Sequence, residues 1–240
     1  FVCEDFLYLK IKKHTMHNLL ELFSKINASK VISKEIDYSD YVALDLSTDN
    51  VALKKHKLES AKDYEIYIQN HLDKNNAKIT YGGYLEVRNL YKRSTVFKND
   101  ISEERNIHIG LDLWINEQAP IYAALEGTIH SFQDNKFLGD YGPTIILKHE
   151  LDGIIFHTLY GHLSLESLND KKIGDKIESG QQIGTLGLPP INGDYAPHLH
   201  FQIILDMENK KGDYPGVCSK ERLTFYAENC PNPYLLLKIN

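Results

Sequence analysis

Cysteine is scarce in this chain of 240 residues, which has only Cys3, Cys218 and Cys230. An odd and sparse set of cysteines excludes a small secreted scaffold held together by disulfide bonds. Cys218 and Cys230 have two interpretations, one bridge or two buried thiols, and the thiols are favoured. A hydrophobic fraction of 42 % is ordinary for a globular protein, and the length allows a sizeable core.

Long apolar runs and an excess of positive charge are also missing. No stretch approaches the roughly 18 consecutive apolar residues that a membrane span needs, so we expect no transmembrane segment. The 27 Lys and Arg residues against 33 Asp and Glu residues give a net charge of −6, which disfavours nucleic acid as a partner. The sequence does not predict an oligomeric state.

The start of the chain shows no signal peptide, because residues 1–13 have no apolar stretch after basic residues. The first residue is not Met, which indicates a fragment or a processed form, and a signal removed earlier is compatible with this. The compartment is therefore open, with the cytoplasm as one candidate.

Residues 1–77 are interpreted as a small, mainly helical region of unknown function. Apolar side chains recur at helical spacing in residues 14–26 and again in residues 60–73, where Ser60 is a candidate N-cap. Residues 41–46 between them predict one short strand.

Residues 78–210 are predicted to form a second, mainly β domain. Asp152 and Gly153 separate two short apolar runs, and this dipeptide between such runs is a strong hairpin signal. Further strands are predicted within residues 120–132, 171–186 and 199–206. The fold class is therefore α+β, with an antiparallel sheet or open barrel as the main domain. Residues 211–240 are predicted to be a tail that packs on this domain.

Three short motifs in the β region hold metal-binding residue types. His108 and Asp112 are four residues apart, which on one strand places both side chains on the same face. His198 and His200 are two residues apart and share a face for the same reason. His162 lies in a third motif, Tyr-Gly-His-Leu-Ser. Each motif alone has a simpler explanation as surface groups or a structural histidine.

Taken together, the motifs favour a hydrolytic metal site. Two histidines and one carboxylate are a common catalytic zinc set that leaves one position open. Two further histidines would then be available for proton transfer near neutral pH. The chain has no HExxH motif, so histidine rather than glutamate must do the acid–base work.

The same motifs resemble those of the lysostaphin and LytM type of zinc endopeptidase. The similar segments cover about residues 100–205 in the family's order, and they are HIGLD at 108–112, PIYAALEGTI at 120–129, YGHLS at 160–164, IGDKIESGQQIGTLG at 173–187 and APHLHFQI at 196–203.

The resemblance implies one zinc ion per chain, bound by His108, Asp112 and His200, with His162 and His198 as the catalytic histidines. Which of these two is the base stays open. It also implies a LytM-like open barrel or sandwich with a groove, and hydrolysis of peptide bonds in peptidoglycan cross-links or stem peptides. Members of this family are commonly exported.

Other features leave the substrate open. The loop at residues 187–197 is longer and, with two prolines, stiffer than in typical members, and the acidic balance is unusual for wall-degrading members. One alternative is a zinc hydrolase of the same fold with a non-wall peptide substrate. Another is a non-catalytic binding or regulatory module, which the intact ligand set disfavours.

Four residues are candidates for contacting the substrate. The segment 81–93 precedes the first motif and is interpreted as a loop over the site, with Tyr84 or Arg88 as an oxyanion donor. Tyr141 and Tyr195 lie in loops expected near the groove. Trp114 is interpreted either as a neighbour of the metal site or as a core residue.

Overall fold

The computed structural model describes residues 16–89, 104–115 and 118–239. Cys3, His14 and the end of the predicted loop at 81–93 lie outside these ranges. The strands are, in chain order, β1 (Tyr41–Ala43), β2 (Ile79–Gly82), β3 (Ile107–His108), β4 (Leu111–Trp114), β5 (Pro120–Tyr122), β6 (Gly127–Asn135), β7 (Gly142–Leu151), β8 (Ile154–Gly161), β9 (Lys176–Ile177), β10 (Gln182–Thr185), β11 (His198–Ile204) and β12 (Val217–Cys218).

The helices are few and short compared with the sheet. They are α1, described over residues 16–25, α2 (Ala61–Asn75), α3 (Leu223–Asn229) and α4 (Tyr234–Leu237). Both predicted helices are confirmed within the described residues. Ser60 caps α2 in a capping box, since its Oγ accepts from Asp63 N–H at 3.1 Å while the Asp63 carboxylate accepts from Ser60 N–H at 2.8 Å. The two C-terminal helices are not predicted by the sequence.

The predicted hairpin is confirmed as β7 and β8. Asp152 and Gly153 both have positive φ, 49° and 78°, as a two-residue turn between antiparallel strands requires. The predicted strand at 120–132 is two strands, because the chain bends after Tyr122 and resumes as β6 at Gly127.

One open, mainly antiparallel sheet forms the scaffold, in agreement with the predicted fold class. Its eight strands follow the order β1-β2-β4-β11-β8-β7-β6-β9, and every neighbouring pair is antiparallel except β1 with β2. Two separate pairs, β10 with β5 and β12 with β3, complete the described strands. In the described residues β1 and β9 remain two separate edges, so the sheet is not a closed barrel.

The described N-terminal residues share the core of the β domain. Leu19 and Phe23 of α1 are fully buried in the main cluster, where the Phe23 ring meets Phe156 edge-on at 5.4 Å. From the C-terminal tail, Leu236 and Leu237 enter the same cluster, as expected of a tail that packs on the domain. The division at residue 77 therefore does not separate two hydrophobic cores.

The described part of the chain contains two reduced cysteines and no helix that could span a membrane. Cys218 and Cys230 are buried free thiols, as favoured above. Among residues 16–89, 104–115 and 118–239, the helices all fall short of the length and apolarity that crossing a bilayer requires.

Candidate metal centre and cleft

Three buried side chains from three strands meet at the base of a cleft. His108 ends β3, Asp112 lies in β4 and His200 lies in β11. His108 Nε2 is 2.9 Å from His200 Nδ1, and Asp112 Oδ1 lies 3.2 Å and 3.1 Å from these two nitrogens. The structure thus brings together the three residues predicted as metal ligands, and each is only 2 % exposed.

The expected route by which His108 and Asp112 meet is wrong. Four residues along one straight strand would separate them by about 13 Å. The chain instead bends at Ile109 and Gly110 between β3 and β4, and this bend turns the two side chains toward each other. His108 and Asp112 therefore come together because the strand is broken between them, and not because they share a strand face.

The His198–His200 prediction rests on strand alternation and is confirmed as geometry. In the β11–β4 ladder, His200 is opposite Asp112 and His198 is opposite Trp114. Leu199 points to the other face and is fully buried in the main core. Trp114 stacks on the His198 ring at 5.6 Å and so lies beside the site.

Hydrogen bonds on the outer edges of the rings determine which nitrogens hold lone pairs. His108 Nδ1–H donates to Gly83 O at 2.9 Å, which leaves Nε2 as an acceptor. His200 Nε2–H donates to Gln202 Oε1 at 2.9 Å, because the Gln202 amide nitrogen donates to Pro215 O at 3.1 Å. Two imidazole lone pairs and a carboxylate oxygen therefore face one another, and a cation between them removes their mutual repulsion.

The three donor atoms fit a zinc ion by type and by spacing. Tetrahedral zinc with bonds near 2.0–2.1 Å separates its nitrogen and oxygen ligands by roughly 3.3 Å. The observed separations of 2.9 to 3.2 Å are only slightly shorter. Two histidines and one carboxylate also leave the fourth position open, as catalytic zinc sites do.

Gln202 is the functional residue that sequence reasoning missed. It holds the ring of His200, and it lies on the same strand face because it follows His200 by two residues. The alternation that linked His198 to His200 extends one step further to Gln202. This two-residue spacing was present in the sequence. The sequence does not show which group the Gln202 amide contacts, however, so the spacing alone did not indicate a role at a metal site.

Burial sets the protonation of the site. It lowers the pKa of His108 to about 4 and also lowers the pKa of His162 and His198, so these rings are neutral near pH 7. Burial alone would raise the pKa of Asp112, but the positive charge of Arg88 opposes this and, with the neighbouring histidines, keeps the pKa well below its usual range. The site therefore presents neutral imidazoles and an ionised carboxylate, the forms that bind metal.

The two predicted catalytic histidines lie side by side next to this cluster. Their ring centroids are 4.2 Å apart, and both rings donate from Nδ1 to a backbone carbonyl at 2.8 Å: His162 to Asn192 O and His198 to Ala196 O. His162 has φ +61°, and its amide donates to Tyr141 O at 2.9 Å. Each Nε2 is therefore left with a lone pair for proton transfer.

Tyr141 and Tyr195 line the cleft, which has a volume of about 160 Å³. The Tyr141 hydroxyl lies 3.4 Å from His200 Nε2. The Tyr195 ring meets His162 edge-on at 5.1 Å, and its hydroxyl donates to Gly139 O at 2.8 Å. Both side chains are where a bound substrate would touch them, and their role in binding stays a prediction.

The lining of the cleft has charges of both signs. Arg105, Lys210, Asp140 and Asp213 all border it. Burial raises the pKa of Asp140 to about 6 and raises that of Asp213 as well, with Arg105 opposing both shifts. This lining gains negative charge as the pH rises through about 6.

The structure places the two predicted oxyanion donors differently, with Arg88 on the cleft lining and Tyr84 outside it. The Tyr84 hydroxyl donates to Cys230 O at 2.8 Å, and its side chain does not border the cleft. The Arg88 guanidinium is 1 % exposed and donates to the carboxylates of Asp112 and Glu86. These two carboxylates are the main partners of the guanidinium, and a contact between Arg88 and an oxyanion stays a prediction.

Gly110, at the bend between β3 and β4, is expected to be intolerant of alanine. A Cβ atom there would lie 2.4 Å from His200 Cε1 and 3.1 Å from Phe201 O, so a metal ligand or the backbone must move. Gly110→Ala should lower both zinc affinity and the free energy of unfolding, the latter by about 1–3 kcal/mol. Chelator competition and thermal denaturation measure the two effects.

Gly153→Ala is the matched control for this substitution. Gly153 lies in the β7–β8 turn at φ +78°, with nothing within 4 Å of a Cβ atom. Alanine there should lower stability through backbone strain but leave zinc affinity unchanged. Equal zinc affinity in Gly110→Ala and the wild type would contradict the close packing of His200.

The remaining β-region histidines are engaged away from the cleft. His149 contacts Glu126 O at 2.6 Å and Thr158 Oγ1 at 2.7 Å. His130 and His157 meet edge-on at 4.8 Å. These contacts agree with their interpretation as structural or surface residues.

Comparison with known proteins gives one family match. Residues 106–212 match Peptidase family M23. Over 100 residues the chain is 32 % identical to the peptidoglycan DD-endopeptidase ShyC of Vibrio cholerae, an alignment that covers 41 % of this chain and 20 % of that relative. All three predicted ligands and both predicted catalytic histidines lie inside the matched range. The resemblance to lysostaphin- and LytM-type enzymes is therefore confirmed.

Two solved structures are also similar. The catalytic domain of the antimicrobial peptidase lysostaphin from Staphylococcus simulans is 27 % identical, with a TM-score of 0.38, over 63 % of this chain and 93 % of that chain. A zinc-containing peptidase from Vibrio cholerae is 24 % identical, with a TM-score of 0.31, over 45 % of this chain and 30 % of that chain.

Proposed function

We propose, from the match of residues 106–212 to peptidase family M23, that this protein is a zinc-dependent endopeptidase. Its substrates are peptide bonds in the cross-links or stem peptides of peptidoglycan. The observation that carries the proposal is the meeting of three acceptor atoms within 3.2 Å of one another at the base of a cleft. Three such acceptors accommodate a divalent cation. The neighbouring histidine pair supplies the proton transfer that hydrolysis also needs.

The side chains around this point have distinct tasks. A zinc ion held by His108, Asp112 and His200 would polarise the scissile carbonyl and acidify the attacking water. His162 and His198 present neutral Nε2 atoms, so one can accept the proton of the water while the other stabilises the oxyanion or serves the leaving amine. Hydrogen bonds to Asn192 O and Ala196 O hold both rings in this orientation.

Peptidoglycan as the substrate is supported by the similarity to ShyC, an enzyme described as a peptidoglycan DD-endopeptidase. The mixed charge of the cleft lining suits a peptide that has both amino and carboxylate groups, because Asp140, Asp213, Arg105 and Lys210 all border the cleft.

The test is digestion of isolated peptidoglycan sacculi by the purified full chain with one equivalent of zinc. We expect release of soluble fragments with new amino groups, identified by mass spectrometry, and no release after chelation. Unrelated peptides serve as a parallel substrate. If these peptides are cleaved and the sacculi are not digested, the result would favour the alternative, a hydrolase with a non-wall substrate. Zinc binding without cleavage of either would contradict an enzymatic role.

A further inference from the structure

Arg88 is a buried cation next to the metal cluster, and it lies outside the part of the chain that matches family M23. At 1 % exposure its charge needs partners. Its Nη1 donates to Asp112 Oδ2 at 2.6 Å and its Nε donates to Glu86. The guanidinium also lies over the Trp114 ring, with its carbon 5.6 Å from the ring centroid.

This contact divides the two oxygens of Asp112 between two tasks. Oδ2 accepts from Arg88, whereas Oδ1 faces His108 Nε2 and His200 Nδ1 at 3.2 and 3.1 Å. Rotation of the carboxylate about its own axis would break the bond to Arg88. The arginine therefore holds the carboxylate with one oxygen toward the metal position.

The same short segment also holds a second ligand. Gly83 O accepts from His108 Nδ1–H at 2.9 Å. Gly83 has φ +107°, and a Cβ atom there would lie 2.1 Å from the Arg88 guanidinium and 2.7 Å from His108 Nδ1, so only glycine fits. Pairing of Gly82 with Asp112 in the β2–β4 ladder keeps this segment against the site.

We propose that residues 83–88 are part of the metal site, with Arg88 as the positioning residue that restricts Asp112 to a single oxygen ligand. The proposal rests on the zinc-binding function above. It assigns a task to a segment that precedes the family domain: this segment completes the outer support of two of the three ligands.

The test compares zinc affinity in four forms of the full chain, measured by competition with a chromophoric chelator. Arg88→Met should lower the affinity about 10- to 100-fold, the usual cost of losing an outer-shell partner. Arg88→Lys keeps the charge but loses the planar pair of donors, Nε and Nη1, that Arg88 divides between Glu86 and Asp112, so it should bind with intermediate affinity. Lys78→Met is the matched control, since Lys78 forms an exposed ion pair with Asp40 just before β2, and its affinity should equal the wild-type value.

Cobalt substitution gives a second measurement that general destabilisation does not change. In Arg88→Met we expect an altered visible spectrum, because Asp112 can then bind through both oxygens, while Lys78→Met keeps the wild-type spectrum. Wild-type affinity and spectrum in Arg88→Met would overturn the proposal, even if apo stability fell. If Arg88→Met does not fold, wild-type values in Arg88→Lys have the same meaning. Wild-type protein that binds no zinc would refute the proposed function, and this inference with it.

Discussion

Replacing His200 with alanine is expected to abolish metal binding and hydrolysis together. His200 Nδ1 lies within 3.1 Å of both other donor atoms, so its loss leaves two ligands and an opening on the third side. The affinity for zinc should fall by more than the roughly 10- to 100-fold that an outer-shell change costs. Elemental analysis of the purified protein and sacculus digestion measure the two losses.

The control for this substitution is His130→Ala. His130 lies in β6 outside the cleft, where its Nδ1 contacts Ser131 Oγ at 2.8 Å. This variant should retain about one zinc per chain and wild-type activity. Retention of stoichiometric zinc by His200→Ala would show that the ion binds somewhere else.

Replacing His162 or His198 with alanine is expected to have the opposite pattern: zinc stays and the rate falls. Neither ring belongs to the cluster of three ligand atoms. Each ring instead donates a hydrogen bond to the backbone carbonyl of another residue, Asn192 or Ala196. Loss of a positioned acid or base costs about 10²- to 10⁴-fold in kcat. Zinc content and kcat, measured on the same preparations, test both halves of the expectation.

His56→Ala is a suitable control, because His56 is exposed, packs edge-on against Tyr67 and does not line the cleft. It should leave both zinc content and kcat unchanged. Loss of zinc from His162→Ala would mean that the ligand set has been assigned wrongly. A wild-type rate in either variant would remove that histidine from the mechanism.

Much of the fold follows from patterns that are local in sequence. The capping box at Ser60 and the turn at Asp152 and Gly153 each involve residues within a few positions of one another. Such contacts depend mainly on neighbouring residues, and the structure confirms them. The two-residue spacing of His198 and His200 is of the same kind, because side chains alternate along any strand.

The site depends on contacts that no local pattern contains. His108 meets Asp112 because the strand breaks at Gly110. The HIGLD motif by itself does not predict this bend. Gly83 and Arg88 reach the site only because β2 pairs with β4, so that Gly82 stands opposite Asp112. Helices α3 and α4 arise in a proline-containing tail whose apolar residues, such as Leu236, find partners only in the assembled core.

The sequence by itself therefore determined which residue types this protein offers for the proposed hydrolysis, and in which order. Spacing and resemblance named the three ligands and the two histidines, since these reside in short motifs. Only the tertiary structure decided how they meet and what holds them. The reason is physical, because sheet pairing joins residues far apart in sequence. His108 and Asp112 are oriented by residues 25 and 24 positions earlier in the chain, whereas His200 is oriented by a residue of its own strand.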